Sequence, residues 1–287
     1  MMISESSILV AEDFSAVGRM SMTAAISILS GFGIQTAAIP TEILSTQTEG
    51  FGQPVISNST EWIKKTINHW QTIPDLKLTS ALVGYVGNTD TVTELTNYLK
   101  AGQMTQIVID PVLGDCGTLY NGFDDTYLKA VKKMMTTATV ITPNVTELGL
   151  LTGVKLVPDS SDADIQAALA VLNQELPNHP QAVVTGIHRD AGMGSGFNHQ
   201  GKLVWSGSPF IPGHFYGTGD LFAALICGYL NFNIEFESAV QRAVFGTYEA
   251  VSKTAQLAVE QRKYGLNLTK TLSDVTKFTL GQKRGEF

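Results

Sequence analysis

The sequence predicts an α/β fold, a mainly parallel sheet covered by helices on both faces. Three observations predict it. Apolar runs of four or five residues recur along the chain, mostly bounded by Gly, Pro, Asp or Asn, as buried strands are. Segments with helical spacing of apolar residues separate them, and that alternation builds βαβ units around a parallel sheet. Composition agrees: of 287 residues, 44% are apolar and 16% charged, below the roughly 25% charged of average globular chains. Such a chain buries a large core and is not disordered.

In order, strands are expected at residues 8–11, 36–39, 80–83, 106–109, 138–141 and 181–185. Helices are expected between them at 19–29, 60–70, 91–101, 124–136 and 162–174. A strand at 202–206 should pair with one near 196–199 across the His199-Gln200-Gly201 turn. The run at 221–230 is a strongly apolar helix, and a helix pair is expected over 237–258. The tail, 283–287, should fray. With no repeat and no linker-like stretch, residues 1–287 read as one domain.

Charge and cysteine usage narrow the function. The 26 Asp and Glu outnumber 19 scattered Lys and Arg, for a net charge of −7. A nucleic-acid binder would carry a basic stripe instead. Cys116 and Cys227 are too few for a disulfide framework. Without a visible signal peptide or membrane-length apolar run, a cytoplasmic location is expected.

Ligands of open α/β sheets bind beyond the carboxyl ends of strands, and four loops there carry unusual residues. Phe215-Tyr216-Gly217-Thr218-Gly219-Asp220 runs into the apolar helix. Its glycines let backbone N–H groups converge at a helix start, an anion hole, with Asp220 placed to take a proton from a hydroxyl. The bare pattern equally suits a glycine turn with Asp220 as helix cap. The strand at 106–109 ends in Asp110-Pro111-Val112-Leu113-Gly114-Asp115, whose two carboxylates suit either Mg²⁺ or simple turns. After the strand at 138–141, Thr142-Pro143-Asn144-Val145-Thr146-Glu147 fits a capping box or a metal–phosphate contact. Val183-Val184-Thr185-Gly186 is the fourth, uninformative alone.

The ordered motifs DPVLGDCGTLY (110–120), TPNVTELGLLTG (142–153) and Gly217-Thr218-Gly219-Asp220 resemble the ribokinase superfamily, and within it the pyridoxal kinase group. The likeness runs from about residue 8 to about residue 229. It implies a three-layer αβα sandwich of ribokinase-like type, use of ATP and Mg²⁺, often K⁺ or another monovalent cation, and a homodimer. It implies Asp220 as catalytic base, with the Gly217 and Gly219 amides as anion hole. Asp110, Asp115, Asn144 and Glu147 would lie near the metal–phosphate region, with Asp110 and Glu147 as metal residues. Thr142, Thr185, Thr218 and Tyr120 would join them on the nucleotide side. For the substrate, Ser45-Thr46-Gln47-Thr48 is similar to the family's Ser-Asn-His-Thr turn, with Thr48 near a pyridine ring and Tyr85 as ring-stacking residue. The implied reaction is phosphorylation of the 5′-hydroxymethyl group of a B6 vitamer.

Two residues depart from that group. Asp13 stands where many pyridoxal kinases have serine, and related hydroxymethylpyrimidine kinases often have Asp there. Gln47 replaces the usual histidine. Hydroxymethylpyrimidine kinases, however, usually carry Gly-Thr-Gly-Cys, whereas this chain has Asp220. A hydroxymethylpyrimidine or dual-specificity kinase is therefore the alternative. A Rossmann-like dinucleotide protein would need a glycine fingerprint after the first strand, where 11–19 offers only Gly18. His69, His188, His199 and His214 read as packing, surface or turn residues.

Overall fold

The computed structural model describes residues 7–284. In chain order the elements are β1 (Ser7–Ser15), α1 (Ser21–Gly31), β2 (Gln35–Leu44), β3 (Ile56–Asn58), α2 (Thr60–Trp70), β4 (Leu78–Val83), α3 (Thr89–Ala101) and β5 (Gln106–Ile109). There follow β6 (Gly114–Asp115), β7 (Thr118–Leu119), α4 (Asp125–Met135), β8 (Val140–Ile141), α5 (Val145–Thr152), α6 (Asp162–Glu175) and β9 (Gln181–Arg189). The chain continues through β10 (Gly192–His199), β11 (Lys202–Ser208), α7 (Thr218–Asn231), α8 (Phe236–Ala255), α9 (Val259–Arg262) and α10 (Thr269–Arg284).

Nine strands form one sheet in the order β11-β10-β9-β8-β5-β4-β1-β2-β3. The six from β9 to β2 pair in parallel, while β3, β10 and β11 add antiparallel edges. Strand side chains alternate between two cores, which is why the strands read as continuous apolar runs. Along β1, Leu9 and Ala11 face α2 to α6, whereas Ile8 and Val10 face α1, α7, α8 and α10. The expected three-layer αβα sandwich is what the chain forms.

The connections locate the cleft. Helix α1 crosses one face between β1 and β2; the chain then returns to β4 on the other side of β1, and α3 to α6 cover the opposite face. Strand order therefore reverses at β1, the switch point where open α/β sheets place ligands.

Several elements differ from expectation. The helix pair expected over 237–258 is one 20-residue helix, α8. A Cβ at Gly246 would meet Leu225 Cδ1 at 2.8 Å, so close packing on α7 carries the helix through its glycine. The short strands β3, β6 and β7 have no apolar run to announce them. Of the tail expected to fray, 285–287 lie outside the described residues, while α10 extends to Arg284.

Candidate active site

Helix α7 opens the site. Its N-cap, Gly217, takes a left-handed φ of 83° and provides no side-chain cap, so the first-turn N–H groups are left facing outward. Asp220 is the third residue of the helix, not its cap. Its Oδ2 accepts a 2.5 Å hydrogen bond from the Ser21 N–H and a 3.4 Å bond from Ser21 Oγ. Desolvation raises the Asp220 carboxyl above the usual aspartate range, and the Ser21 bonds pull it back. Ser21 holds a φ of 44°, sterically costly for a side-chain-bearing residue. That backbone turns its N–H to the base. The expected helix from residue 19 hid Ser21, and no pattern in the sequence reveals its φ.

Asp110 comes to the same place from the end of β5. It is buried, and its Oδ2 lies 3.1 Å from where a Cβ of Gly219 would stand. Glycine there lets a carboxylate approach the helix start. Burial pushes the Asp110 carboxyl well up, followed by the charges of Glu147 and Asp220, with the Val112 N–H lowering it.

Helix α5 begins at the same rim in a different way. The Asn144 side chain accepts from the Glu147 N–H at 2.9 Å, and Glu147 Oε2 accepts from the Asn144 N–H at 2.8 Å. Glu147 Oε1 takes the Leu113 N–H at 2.8 Å, and Asn144 Nδ2 donates to the Gly114 carbonyl at 3.0 Å. The capping box thus also ties down the β6–β7 loop. Desolvation dominates at Glu147 and leaves its carboxyl at about 7 against the lowering backbone bonds. Among the described residues, no three His, Cys, Asp or Glu side chains converge as a ready metal cage.

Around this rim, Thr142 is buried with its hydroxyl unpartnered, and Thr185 bridges to Asn144. Tyr120 and Asp115 are exposed on the hairpin, and Thr218 is the first residue of α7. At the substrate side, Asp13 is buried at the end of β1, bonded by Ser15 Oγ at 3.2 Å. Desolvation lifts its carboxyl to about 6, with Ser21 and Ser15 lowering it and Asp220 and Glu42 raising it. Tyr85 leans on Phe123 at 5.6 Å, and Phe123 stacks on Tyr127 at 3.8 Å. Phe123 was not among the expected site residues.

The 45–48 turn is split. Thr48 is exposed, but Gln47 is buried and donates to the Lys263 carbonyl at 2.8 Å, so it anchors the loop. Sequence reasoning also passed over Glu12. Only 1% exposed, it has neither carboxylate oxygen partnered, and a Cβ at Gly84 would stand 2.8 Å from Oε1. Burial and then Asp220, Asp13 and Asp110 push it well up. The one available signal was its position beside Asp13 at a strand end. Two histidines form surface pairs: His188 with Asp159 at 2.8 Å and His214 with Glu49, the residue after Thr48, at 3.4 Å.

The arrangement offers open amides beside a carboxylate base, with further acids and an aromatic shelf across the same rim. The family model described as phosphomethylpyrimidine kinase matches residues 22–266. The chain belongs to that family. A pyridoxal kinase from Lactobacillus plantarum is 35% identical, covering 95% of this chain and 97% of its own, with a TM-score of 0.89. That likeness places the chain in the family's pyridoxal kinase group, with the ribokinase-like fold. A putative phosphomethylpyrimidine kinase from Bacteroides thetaiotaomicron, solved in a form with pyridoxal, is 29% identical with a TM-score of 0.83, covering 94% of this chain and 95% of its own. The Arabidopsis thaliana pyridoxal kinase is 28% identical over 221 residues, 69% of this chain and 70% of that one. Among the described residues no helix is long and apolar enough to cross a membrane.

Proposed function

We propose that this protein transfers the γ-phosphoryl group of ATP to the 5′-hydroxymethyl group of pyridoxal, pyridoxamine or pyridoxine, giving the 5′-phosphate and ADP. The observation that carries the reading is Asp220, held by Ser21 in the first turn of an uncapped helix at the sheet's switch point. The pyridoxal kinase of Lactobacillus plantarum supports the choice of alcohol.

Phosphoryl transfer asks a protein mainly for positioning and charge stabilisation. Asp220 accepts the proton of the attacking hydroxyl, and the Gly217 and Gly219 amides receive the transferring phosphate. Thr142, Thr185, Thr218, Asn144, Asp115 and Tyr120 line the nucleotide side; Asp13, Thr48 and Tyr85 face the substrate ring. The unpartnered Glu12 oxygens and the crowded acids fit a site that also takes up cations. Asp110 would hold Mg²⁺. Glu147, both of whose oxygens already accept backbone N–H groups, would act through water. When bound, the ion neutralises charge on the phosphate oxygens, with K⁺ or another monovalent cation as a second candidate. The reading is of a single-domain, homodimeric, cytoplasmic enzyme.

A second reading, hydroxymethylpyrimidine kinase or a dual-specificity enzyme, is favoured by Asp13 and by the family's own description. ADP release by purified protein with Mg²⁺-ATP and each of pyridoxal, pyridoxamine, pyridoxine and hydroxymethylpyrimidine separates the two. ADP formation dependent on a B6 vitamer is expected. Release with hydroxymethylpyrimidine, alone or as well as with a B6 vitamer, selects the second reading, and release with none of the alcohols overturns both.

A further inference from the structure

We infer that Glu42, together with Asp13, makes this site select a B6 vitamer that carries a positive charge beside the reacting arm, so that pyridoxamine is preferred over pyridoxine. The inference rests on the vitamer reading above and names its substrate class.

The strand pairing brings the two acids together. Glu12 of β1 faces Pro40 and Phe14 faces Ile43, so Asp13 alone stands opposite both Thr41 and Glu42. Such a bulge re-aims side chains and is common beside active sites. Here Thr41 and Glu42 are consecutive and both buried. Thr41 Oγ1 donates to the Tyr85 carbonyl at 2.7 Å, fixing β2 to the residue expected to stack on the ring. A side chain at Gly87 would run into the Glu42 carboxyl, so the acid lies against the 85–88 backbone, with Tyr85 and Asn88 nearby.

No described Lys, Arg or His side chain pairs with Asp13 or Glu42. Glu12, on the neighbouring strand residue, is 1% exposed and has both oxygens without a partner. Buried carboxylates without a cation are costly. On the phosphate side Mg²⁺ can offset that cost. On the ring side the Ser15 and Ser21 side chains donate to Asp13 and the Asn88 side chain to Glu42. Donors are therefore present but no positive charge, which a cationic substrate arm supplies. Pyridoxamine presents an ammonium where pyridoxine presents a neutral hydroxyl of similar size, so the pair isolates the charge. A carboxylate accepts from either but gains more from the ammonium.

The test compares kcat/KM for pyridoxamine and pyridoxine, at saturating Mg²⁺-ATP, in wild type and in Glu42→Gln. Wild type should favour pyridoxamine by about tenfold, and Glu42→Gln should bring the ratio close to one. Equal values in wild type, or a ratio unchanged by Glu42→Gln, overturn the inference. The wild-type ratio decides even where the variant does not fold, and a thermal melt of the variant identifies that case. Absence of turnover with every vitamer would instead defeat the proposed function itself.

Discussion

Two helices, α5 and α7, begin at the same rim of the sheet and are finished in opposite ways. At α5, Asn144 and Glu147 close the first turn and reach across to the β6–β7 loop, so the side-chain oxygens are spent on backbone N–H groups. At α7 a left-handed glycine leaves the turn uncapped, and the nearest carboxylate, Asp220, is held by another segment of the chain. A capped terminus holds loops in place. An uncapped one, with its dipole and free amides, is available to an anion. The contrast assigns stability chiefly to α5 and chemistry to α7, and variants at each can break it.

The largest effect is expected at Asp220. Asp220→Asn keeps the shape and can still meet Ser21, but removes the proton acceptor. It should lower kcat by about 10²- to 10⁴-fold with little change in KM for ATP. Near-native turnover would remove Asp220 from the role of base. Next is Gly219→Ala, whose Cβ would stand 3.1 Å from Asp110 Oδ2 and crowd the phosphate position. A loss of about 10²-fold in kcat is expected, with the melting temperature nearly unchanged because alanine suits a helix. A variant that melts early but turns over normally would mean that the open terminus serves folding.

The sheet was legible because its central strands are buried on both faces and so read as apolar runs. The acids at their ends were legible as chemistry-bearing residues beside Pro and Gly. The α5 capping box was readable too, since it is local: Asn144 and Glu147 are three residues apart. What escaped was what only the assembled fold creates. Ser21 reaches Asp220 across the chain through a backbone angle that no residue pattern encodes. Glu12 becomes exceptional only when Gly84 and the neighbouring acids enclose it, and Glu42 only through the β1–β2 bulge. Gln47, legible only as a departure from the family's histidine, ties its turn to the Lys263 carbonyl, a partner far along the sequence.

The crowding of acids at the rim predicts how the free protein responds to pH. Asp13 at about 6 and Glu147 at about 7 are both raised above their unfolded values of about 4. The folded state therefore binds these protons more tightly, and stability falls as pH rises through the window from about 4 to about 7. Without nucleotide or magnesium, the melting temperature should be several degrees higher at pH 5.5 than at pH 8. A lower melting temperature at pH 5.5 would show that these carboxylates are not held against their charge.

The smallest effect, and the sharpest test of the contrast, belongs to Asn144→Ala. It removes the acceptor for the Glu147 N–H and the donor to the Gly114 carbonyl, while Glu147 can still accept from the Asn144 and Leu113 backbones. Loss of such a cap costs about 1 kcal/mol, which lowers the melting temperature of a chain this size by about 2–4 °C. The loosened β6–β7 loop should raise KM for ATP less than Gly219→Ala lowers kcat. If Asn144→Ala instead abolishes turnover while melting as wild type does, the α5 terminus meets the phosphates itself. The two helix starts would then share one task.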